Sequence, residues 1–543
     1  MRTFQGFLKP TIILLTLGFF LLPVSCVSSK PGKTIENLVS KDFAADDPPK
    51  VSEIRPEIPE IPNIPEKGPI EITVRNAILI ALENNRSLVV EQFNPAIQQT
   101  FEDQEQAVFD PVTGAEISAG REEQHRTASG SVTSEVDTYL GGISLEQLFP
   151  AGTFVEAEAT NRTTESSLYE NPLSSTRLGL SVTQPLLRGY GRDVNLVRLR
   201  QARLETDITR YELRGFSESL LARVETAYWD YALAQRQIEI VEESLKVVNQ
   251  QLSETQEMIL IGTMAEAELA AVQAEVAAQE QDLINTQSKL ASSRLQLLRL
   301  LNPPGNNLWD RDIKLIYQST IPDILLDKVT DHVAISLSIR PEINQTKLSI
   351  QQDDLEIIRT KNGLLPKMDL FISLGKTGYA DSFSGSVSDI TGDSYDVEGG
   401  IRFEYPLKNR DANARHRRAV LSREQAEKAL DNLSQLVELD VRAAYIEVNR
   451  AKKQIAASSA TRKFQEEKHR IETEKFRVGR STNFLVAQAQ RDLLVAKISE
   501  VNAVVDYLKS LINLYRLDGS LLERRGILAP GNEPVKSSIK PQS

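Results

Sequence analysis

The sequence predicts an α+β fold, built as a tandem repeat, in which long coiled-coil helices alternate with groups of short amphipathic strands. First, a glycine-centred break between two long helical patterns occurs at Gly262 and recurs at Gly479, an offset of 217 in the numbering. Second, apolar side chains on both sides of the first break are spaced three and four residues apart, which is the coiled-coil period. Third, each copy carries segments of period-two alternation, typical of strands, at the same relative place.

Other landmarks share the spacing between the copies. Tyr228 and Tyr445 are related by the same offset of 217, and Asn302 lies opposite Gly519 at that offset too. The prolines that bound the strand regions pair at offsets of 255 and then 221 (Pro111 with Pro366, Pro185 with Pro406). The first copy therefore contains 34 extra residues between its two prolines. We interpret them as an extra hairpin, with residues 137–148 turning at 150–152 into 153–162, which either adds strands to the sheet or forms an extracellular or rim feature.

The N-terminus has the layout of a secretory signal. Arg2 and Lys9 precede an apolar run over residues 11–22, and small residues follow. This predicts a signal peptide over residues 1–25 and an exported protein. The apolar run is too short to span a bilayer, and no later stretch reaches the length required. A mature protein that crosses a membrane would therefore have to do so by strands. The net charge of −12 argues against a nucleic-acid partner.

Cys26 is the only cysteine, so an internal disulfide is excluded. It follows Leu22-Pro23-Val24-Ser25, which resembles a bacterial lipobox except that proline stands where the pattern has leucine. We predict that Cys26 is acylated, with palmitate among its acyl groups; the alternative is cleavage nearby with an incidental cysteine. Residues 26–69 become a lipidated, proline-rich spacer, because closely spaced prolines favour extended polyproline conformation. A partner-docking motif in this segment is the alternative.

The first repeat is assigned to residues 70–301 and begins with a helical pattern over 72–109. The apolar face of that pattern comprises Ala77, Ile78, Ala81, Leu82 and Leu88. The second repeat is assigned to residues 325–519, and its first helical pattern covers 325–365. Between the repeats, residues 302–324 are interpreted as an equatorial linker, and residues 520–543 as a C-terminal tail.

Strands are expected over residues 111–185 and 366–406, with Pro111, Pro185, Pro366 and Pro406 at the strand–helix junctions. Val155, Ala157 and Ala159, for example, alternate with polar neighbours, so that one face is apolar and the other is polar. The edge of a soluble sandwich has this pattern, and so has a transmembrane barrel with its apolar face outward.

After each strand region comes a long helical pattern, over residues 194–261 and 411–478. At 1.5 Å per residue, about 70 residues form a rod on the order of 100 Å long. Glycine tolerates the backbone of a tight reversal, so Gly262 and Gly479 are predicted to be the tips of helical hairpins. Alanines after the first tip, such as Ala270 and Ala274, are expected to line the helical seams. A soluble coiled-coil rod is the alternative.

No catalytic, metal-binding or cofactor-binding constellation is found in the sequence. His125, His332, His416 and His469 are scattered without the spacing of metal ligands. The segment Gly189-Tyr190-Gly191 lacks the third glycine of a dinucleotide-binding loop. Dense Glu, Lys and Arg on the helices are interpreted as solvated faces. We expect a protein that is not an enzyme.

The order of these segments resembles the outer-membrane efflux protein family typified by TolC. The resemblance covers about residues 70–519. The matching pieces are Ala77-Ile78-Leu79-Ile80-Ala81-Leu82, Gln184-Pro185-Leu186-Leu187, Arg340-Pro341-Glu342, Gly363-Leu364-Leu365-Pro366, Ile261-Gly262-Thr263 and Val478-Gly479-Arg480-Ser481.

The resemblance implies a homotrimer located in the bacterial outer membrane and extending into the periplasm. Its fold would combine a long α-helical coiled-coil barrel with a transmembrane β-barrel to which all three subunits contribute strands. It also implies a passive efflux duct that contacts outer-membrane lipid. Its tips, at Gly262 and Thr263 and at Gly479, Arg480 and Ser481, would bind a periplasmic adaptor of an inner-membrane pump. Arg480 departs from the simplest tip, which has a small residue there.

Two other functions stay open at this stage. The exit duct of a type I protein secretion system would share the fold. A periplasmic adaptor or other non-channel coiled-coil lipoprotein would have one hairpin flanked by halves of a compact β domain, whereas this sequence has two strand insertions.

Overall fold

The computed structural model of the protein describes residues 68–126, 132–167, 170–304, 308–316, 326–531 and 533–536. The first half contains β1 (Ile70–Ile72), α1 (Val74–Asn84), α2 (Arg86–Glu91), α3 (Phe93–Ala107), β2 (Val112–Arg126), β3 (Val132–Leu148), β4 (Phe154–Ser166), β5 (Leu173–Pro185), α4 (Arg192–Asn195), α5 (Val197–Leu260) and α6 (Ala267–Leu301). The second half contains β6 (Ile313–Leu315), α7 (Val329–Ile339), α8 (Pro341–Gly363), β7 (Lys367–Ala380), α9 (Phe383–Ser388), β8 (Tyr395–Glu404), α10 (Arg410–Arg477), α11 (Asn483–Leu517) and α12 (Leu521–Arg524).

The predicted mixture of long helices and strands is confirmed, and the two halves repeat one order of elements. In each half, short helices lead into strands, then into one very long helix, a tip and a shorter helix. The long helices have 64 and 68 residues, and the shorter ones have 35 residues each. Asn302 and Gly519, which the offset of 217 relates, both have positive φ just after the shorter helices. Within the described residues, no helix combines the length and apolar character that crossing a membrane requires.

Six strands form one antiparallel sheet in the order β2-β3-β4-β5-β7-β8. By the repeat offsets, β2 corresponds to β7 and β5 to β8, so β3 and β4 are the extra hairpin of the first copy. They hydrogen-bond to each other and to β2 and β5 on either side. The extra residues of the first copy are therefore inserted into the middle of the sheet.

The first helical segment is shorter and more broken than the sequence suggested. A continuous pattern was expected over residues 72–109, but the structure breaks it at Asn85 and again at Gln92. The Asn85 side chain accepts hydrogen bonds from the amides of Ser87 and Leu88, which starts a new helix there. Its amide nitrogen also donates to the carbonyl of Leu300, which ties the break to the end of α6.

The main cores lie where the short helices pack on the long ones. One cluster joins α1, β1 and β6 to α5 and the end of α6, and Tyr228 is its largest fully buried aromatic residue. A second cluster joins α5, α7, α10, α11 and α12. The segment expected to be a tail contributes Leu521 and Leu522 to this second core, and both are fully buried.

Candidate functional site

The first hairpin tip is closed by a glycine in the left-handed region. After α5 ends, Gly262 has a φ of 76°, and the amide of Thr263 donates to the carbonyl of Met258 at 2.9 Å. The hydroxyl of Thr263 donates to the same carbonyl at 2.9 Å. This is the Schellman arrangement, which satisfies the carbonyls at the end of a helix and needs a residue without Cβ strain at its turning point.

The second tip repeats this geometry. Gly479 has a φ of 70°, and the amide of Arg480 donates to the carbonyl of Lys475 at 2.8 Å. Arg480 therefore occupies the place of Thr263, and its side chain is exposed. The hydroxyl of Ser481 donates to Glu472 at 2.9 Å. Hydrogen bonds from Lys475 and then from Ser481 hold the pKa of the Glu472 carboxyl below its usual value.

The structure brings the two tips together. Asn483, which is fully buried at the start of α11, accepts a hydrogen bond from Gln251 of α5 at 3.2 Å and contacts the sulfur of Met264 at 3.4 Å. Further from the tips, Arg491 of α11 forms an ion pair with the buried Glu275 of α6 at 2.6 Å. The five predicted tip residues thus lie on one end of a four-helix arrangement whose hairpins are linked by polar contacts.

The four predicted junction prolines lie at or next to strand ends. Pro111 precedes β2, Pro366 precedes β7, and Pro185 is the last residue of β5. Pro406 lies between β8 and α10, and its carbonyl accepts a hydrogen bond from the amide of Asn409 at 3.0 Å. The missing amide of proline and its fixed φ favour ending a strand at these points.

The turn of the extra hairpin lies against the first strand–helix junction. Gly152 has a φ of 94°, and an added Cβ would clash with the carbonyl oxygen of Gly189. The side chain of Asn195 donates to the carbonyls of Pro150 and Gly189 at 3.2 and 2.9 Å. The amide of Gly191 donates to Ala151 at 3.1 Å. These contacts fix the extra hairpin to the body of the chain.

One face of the six-stranded sheet is apolar from edge to edge. The register places Leu145, Ala157, Leu180 and Leu374 in one cross-strand row, with Val397 at its end. Many apolar side chains on this face are exposed, including Ile117 at 91% and Ile401 at 65%. A contiguous exposed apolar surface of this kind marks an interaction with apolar surroundings or with another protein.

The opposite face of the sheet is polar and charged. Arg177 donates to Asp396 across β5, β7 and β8, with Nη2 to Oδ2 at 2.8 Å, and lies 3.6 Å from a carboxylate oxygen of Glu158. Glu146 and Glu156 are direct cross-strand neighbours on this face. The sheet therefore has the apolar and polar faces that the period-two alternation predicted.

The sheet has two unpaired edge strands, and the helices have two exposed apolar surfaces. Among the described strands, β2 and β8 each pair on one side only. Exposed apolar side chains at the end of α2 and along α3 recur at helical spacing (Val90, Phe93, Ile97, Phe101). A second exposed set lies on α10 (Leu421, Leu436, Leu439, Ile446). α3 contacts α5 and α10 contacts α8, so these sets lie on opposite sides of the row formed by α3, α5, α8 and α10.

Buried ionic contacts near the second core were not predicted from the sequence. Arg214 of α5 is fully buried, 3.2 Å from Glu218, and it also donates to the carbonyl of Gly519 and to Glu523. Burial raises the pKa of the Glu218 carboxyl to about 8. His332 and Asp518 form a second buried contact at 2.7 Å. Arg214 and Glu218 are one helical turn apart, but the other partners are distant in the sequence (Arg214 with Gly519 and Glu523, His332 with Asp518), so their contacts leave no local pattern.

Within the ranges described above, no group of three or more histidine, cysteine, aspartate or glutamate side chains is placed to hold a metal ion. The predicted signal peptide, the lipidation site at Cys26 and most of the proline-rich spacer lie outside the described residues.

An amphipathic sheet joined to long helical hairpins is the architecture of an outer-membrane channel protein. The family profile described as Outer membrane efflux protein matches residues 78–303 and 334–520. The match extends over more than half of the chain, which belongs to the outer membrane efflux protein family. It is therefore an outer-membrane efflux protein, and membership in a family of channels agrees with the expectation that it is not an enzyme.

Solved structures of such channels share the fold. The chain is 17% identical to CusC, described in the context of transmembrane channel formation, with 82% of this chain and 91% of that one covered and a TM-score of 0.62. It is 14% identical to the Campylobacter jejuni CmeC outer membrane channel, with 82% and 86% covered and a TM-score of 0.61. It is 14% identical to the outer membrane protein VceC of Vibrio cholerae, with 83% and 96% covered and a TM-score of 0.58. No curated protein matches the sequence significantly.

Proposed function

We propose that this protein is the outer-membrane duct of a tripartite efflux or export system and passes its cargo passively from the periplasm to the exterior. The observation that carries the proposal is the six-stranded sheet, which has one apolar face and one charged face and whose strands lead into the two longest helices, α5 and α10. An apolar outer face and a polar inner face are what a water-filled barrel in a membrane requires.

The proposed barrel is assembled from three copies of the chain. Bacterial barrels begin at about eight strands, and the described part of one chain supplies six to this sheet. The exposed edges of β2 and β8 and the apolar stripes of α3 and α10 give each copy two surfaces for its neighbours. A homotrimer would contain eighteen strands, with the extra hairpins as part of the wall, and its apolar face would contact outer-membrane lipid.

The periplasmic end of the duct is proposed to be the pair of hairpin tips. Gly262, Thr263, Gly479 and Arg480 are exposed, and Ser481 is half-buried. Their backbone shape is fixed by the two Schellman turns, so the tips offer a rigid, repeated surface to a periplasmic adaptor of an inner-membrane pump. The opening of the duct then requires that the polar contacts between the hairpins be rearranged.

Cys26 is proposed to add a lipid anchor. One acyl chain gives only marginal membrane binding, whereas two or three hold a protein stably. The proline-rich spacer over residues 26–69 would connect this anchor to the first repeat.

A second candidate is the exit duct of a type I protein secretion system. The extra hairpin supports this candidate, because the diameter of a barrel grows with its number of strands and a wider pore suits a polypeptide cargo.

The test is the mass and strand count of the particle extracted in detergent from the outer-membrane fraction. A particle of three chains that survives carbonate washing and has eighteen strands in an electron cryomicroscopy map supports the proposal. A monomer released by washing would refute the shared barrel. Export of a small dye, compared with export of a polypeptide, by cells with and without the protein separates the two cargo classes.

A further inference from the structure

The inference concerns a cavity lined by the middle of α5 and by the ends of α6 and α11. Its volume is about 1270 Å³. Its lining contains five basic and two acidic side chains (Arg86, Arg223, Arg299, Lys509 and Arg516; Asp230 and Asp310). The lining therefore has an excess of three positive charges, whereas the whole chain has a net charge of −12. A basic cavity in an acidic protein indicates a site for a negatively charged partner.

The four arginines of this cavity are not neutralised by a carboxylate. Lys509 is paired with Asp230. Within the ranges that the structure describes, however, none of the four arginines forms an ion pair. Nε of Arg223 donates to the carbonyl of Ser219 at 3.4 Å, and its guanidinium carbon lies 5.7 Å from the ring centre of Phe216. These neutral partners orient the Arg223 side chain without cancelling its charge.

The positions of the arginines are not explained by helix ends alone. Arg299 and Arg516 are related by the offset of 217, and each lies in the last turn of its helix, where a cation stabilises the negative end of the helix dipole. Arg223 lies in the middle of α5, far from either end. Its equivalent in the second repeat is Asp440, which forms an ion pair with Arg340 at 3.5 Å. The basic group on α5 is therefore a departure from the repeat that adds positive charge to this cavity.

The side of α5 that bears Arg223 is opposite the short sheet of β1 and β6. The side chains of α5 that line this side of the cavity recur at spacings of four, three and four residues (Ser219, Arg223, Thr226, Asp230). Tyr228 is nine residues from Ser219, which is about two and a half turns at 3.6 residues per turn. The hydroxyl of Tyr228 donates to the carbonyl of Ile316, next to β6, at 3.2 Å. The strands β1 and β6 and the arginine therefore lie on opposite sides of α5.

In the proposed trimer, this geometry turns the cavity toward the passage. Each chain contributes α6, α5, α11 and α10 side by side, since each contacts the next. Twelve helices spaced about 9 Å apart form a ring about 35 Å across, which leaves about 25 Å inside it once a helix radius of about 5 Å is subtracted on each side. Three copies of β1, β6 and α1 would block that width. They therefore lie outside the ring, and the Arg223 side of α5 faces its interior.

The chemistry of the lining defines the ligand. The guanidinium fork of an arginine donates to two oxygens of a carboxylate, sulfonate or phosphate group at once. Trp309 is 53% exposed, and Leu300 and Ile512 also line the cavity, so apolar surface lies beside the charges. Thr226 and Asn513 add neutral hydrogen-bonding groups. This combination fits an organic anion with an apolar body better than an inorganic ion, which cannot cover the apolar surface.

We propose that this cavity is a binding site for organic anions on the inner wall of the duct, and that the cargo includes amphipathic compounds with a carboxylate, sulfonate or phosphate group. The proposal rests on the trimeric duct of the proposed function and names a cargo class for it. Exposed charges are screened beyond about 8 Å at physiological ionic strength. The cavity therefore acts on anions that reach the wall and leaves the centre of the passage open.

A simpler alternative is that the arginines only form a solvated surface. That alternative explains their exposure. Solvated faces elsewhere in this chain, however, mix both signs of charge. On α10, for example, Arg442 is paired with Glu438 and Arg450 with Glu447. An unmixed group of arginines beside an exposed tryptophan is not explained by solvation.

The test is binding of naphthalene-1,5-disulfonate to the full-length protein, purified as the assembled particle and measured by isothermal titration calorimetry. The test variant replaces three arginines of the cavity (Arg223→Gln, Arg299→Gln, Arg516→Gln). The matched control variant removes three positive charges from the side of β1 and β6 (Arg75→Gln, Arg294→Gln, Lys314→Gln). Neutral 1,5-dihydroxynaphthalene is the control ligand. If the test variant does not assemble, Arg223→Gln and Arg299→Gln, both at exposed positions, are measured singly.

Wild type should bind one disulfonate per chain, with an affinity that falls as salt is added. The test variant should bind it about tenfold or more weakly, because hydrogen bonds to charged groups are lost. The control variant should bind as wild type does, and the neutral ligand should not distinguish the three proteins. A ligand on the inner wall narrows the passage. Disulfonate should therefore reduce the current through single wild-type particles in a planar bilayer and leave the current through the test variant unchanged.

The outcomes separate this inference from the proposed function. A wild-type trimer that does not bind disulfonate, or binds it as tightly in the test variant as in the control variant, overturns the site and leaves the duct standing. Binding without any reduction of the current overturns the position on the inner wall. A wild-type monomer that binds disulfonate refutes the duct, and with it the cargo class, but not the anion site.

Discussion

Substitution of the tip glycines tests whether the tips have a role beyond turning the chain. Gly262 and Gly479 have φ values of 76° and 70°, which residues with a Cβ rarely adopt. An added Cβ meets no heavy atom within 4 Å at either position, so no side-chain clash is added to this backbone strain. The strain is about 1–2 kcal/mol per position for an ordinary residue and less for asparagine, which tolerates the left-handed region.

That magnitude is small compared with the total stability of a folded protein, about 5–15 kcal/mol. Gly262→Trp, Gly479→Trp and the matched Asn variants should therefore all assemble with the mass of the wild-type particle. A tryptophan at either tip projects into the surface proposed for the adaptor, so efflux should be lost, whereas the Asn variants should retain most of it.

The assay is accumulation of a fluorescent efflux substrate in cells lacking their own duct, with the amount of assembled particle measured in the same samples. Normal efflux in both Trp variants at normal particle amounts would refute the docking role of the tips. Loss of efflux in the Asn variants as well would show that the backbone turn, rather than the surface, is what matters.

Three further predictions follow from contacts in the body of the chain. Gly152→Ala should destabilise the extra hairpin by more than Gly262→Ala destabilises its tip, because only at Gly152 does the added Cβ meet a carbonyl oxygen, that of Gly189; urea unfolding measures this. Arg491→Met should cost about 1–3 kcal/mol, since it leaves the buried Glu275 without its ion pair, and hydrogen exchange near the tips should accelerate. Burial raises the pKa of the Glu218 carboxyl from 4.5 to about 8, so between these two pH values the folded state binds one proton more than the unfolded state. The free energy of unfolding should therefore fall as the pH rises through that window, and Glu218→Gln should remove this dependence.

Each of these has a control in the same chain. Gly141 has no atom within 4 Å of an added Cβ and an ordinary φ, so Gly141→Ala should be nearly silent. Adding Glu275→Leu to Arg491→Met removes the unpaired carboxylate and should recover stability. Equal destabilisation of the Gly141 and Gly152 variants would contradict the clash at Gly152. No recovery of stability in the double variant would contradict the role of the unpaired Glu275 carboxylate. The same pH dependence in wild type and Glu218→Gln would contradict the role of Glu218.

Local and periodic features of this protein were readable from its sequence. The hairpin glycines can be recognised because each interrupts a long helical pattern with the residue type that best tolerates a positive φ. The period-two segments identify the strands. The offset of the repeat also locates the extra residues, because a duplication keeps its spacing elsewhere. The sequence could not say whether those residues join the sheet, since hydrogen bonding of β3 to β2 and of β4 to β5 depends on partners that are not local.

Contacts between distant segments were missed for the same reason. Asn85 interrupts an apolar helical pattern through its own side-chain capping and through a bond to Leu300, in a distant part of the chain. The residues after 519, interpreted as a tail, include the buried helix α12. The burial of Arg214 depends on that segment, because its guanidinium reaches Gly519 and Glu523.

The extra hairpin also affects how a barrel of strands can be joined to a barrel of helices of the same circumference. Four helices spaced about 9 Å apart, α3, α5, α8 and α10, give each chain an arc of roughly 36 Å. Four strands spaced about 4.8 Å apart would need a tilt of roughly 58° to cover that arc, whereas six strands need about 37°. The second value is within the usual range for membrane barrels of about 35–45°. In the proposed ring, the inserted pair of strands lets the two walls meet edge to edge without a sharp change in slope.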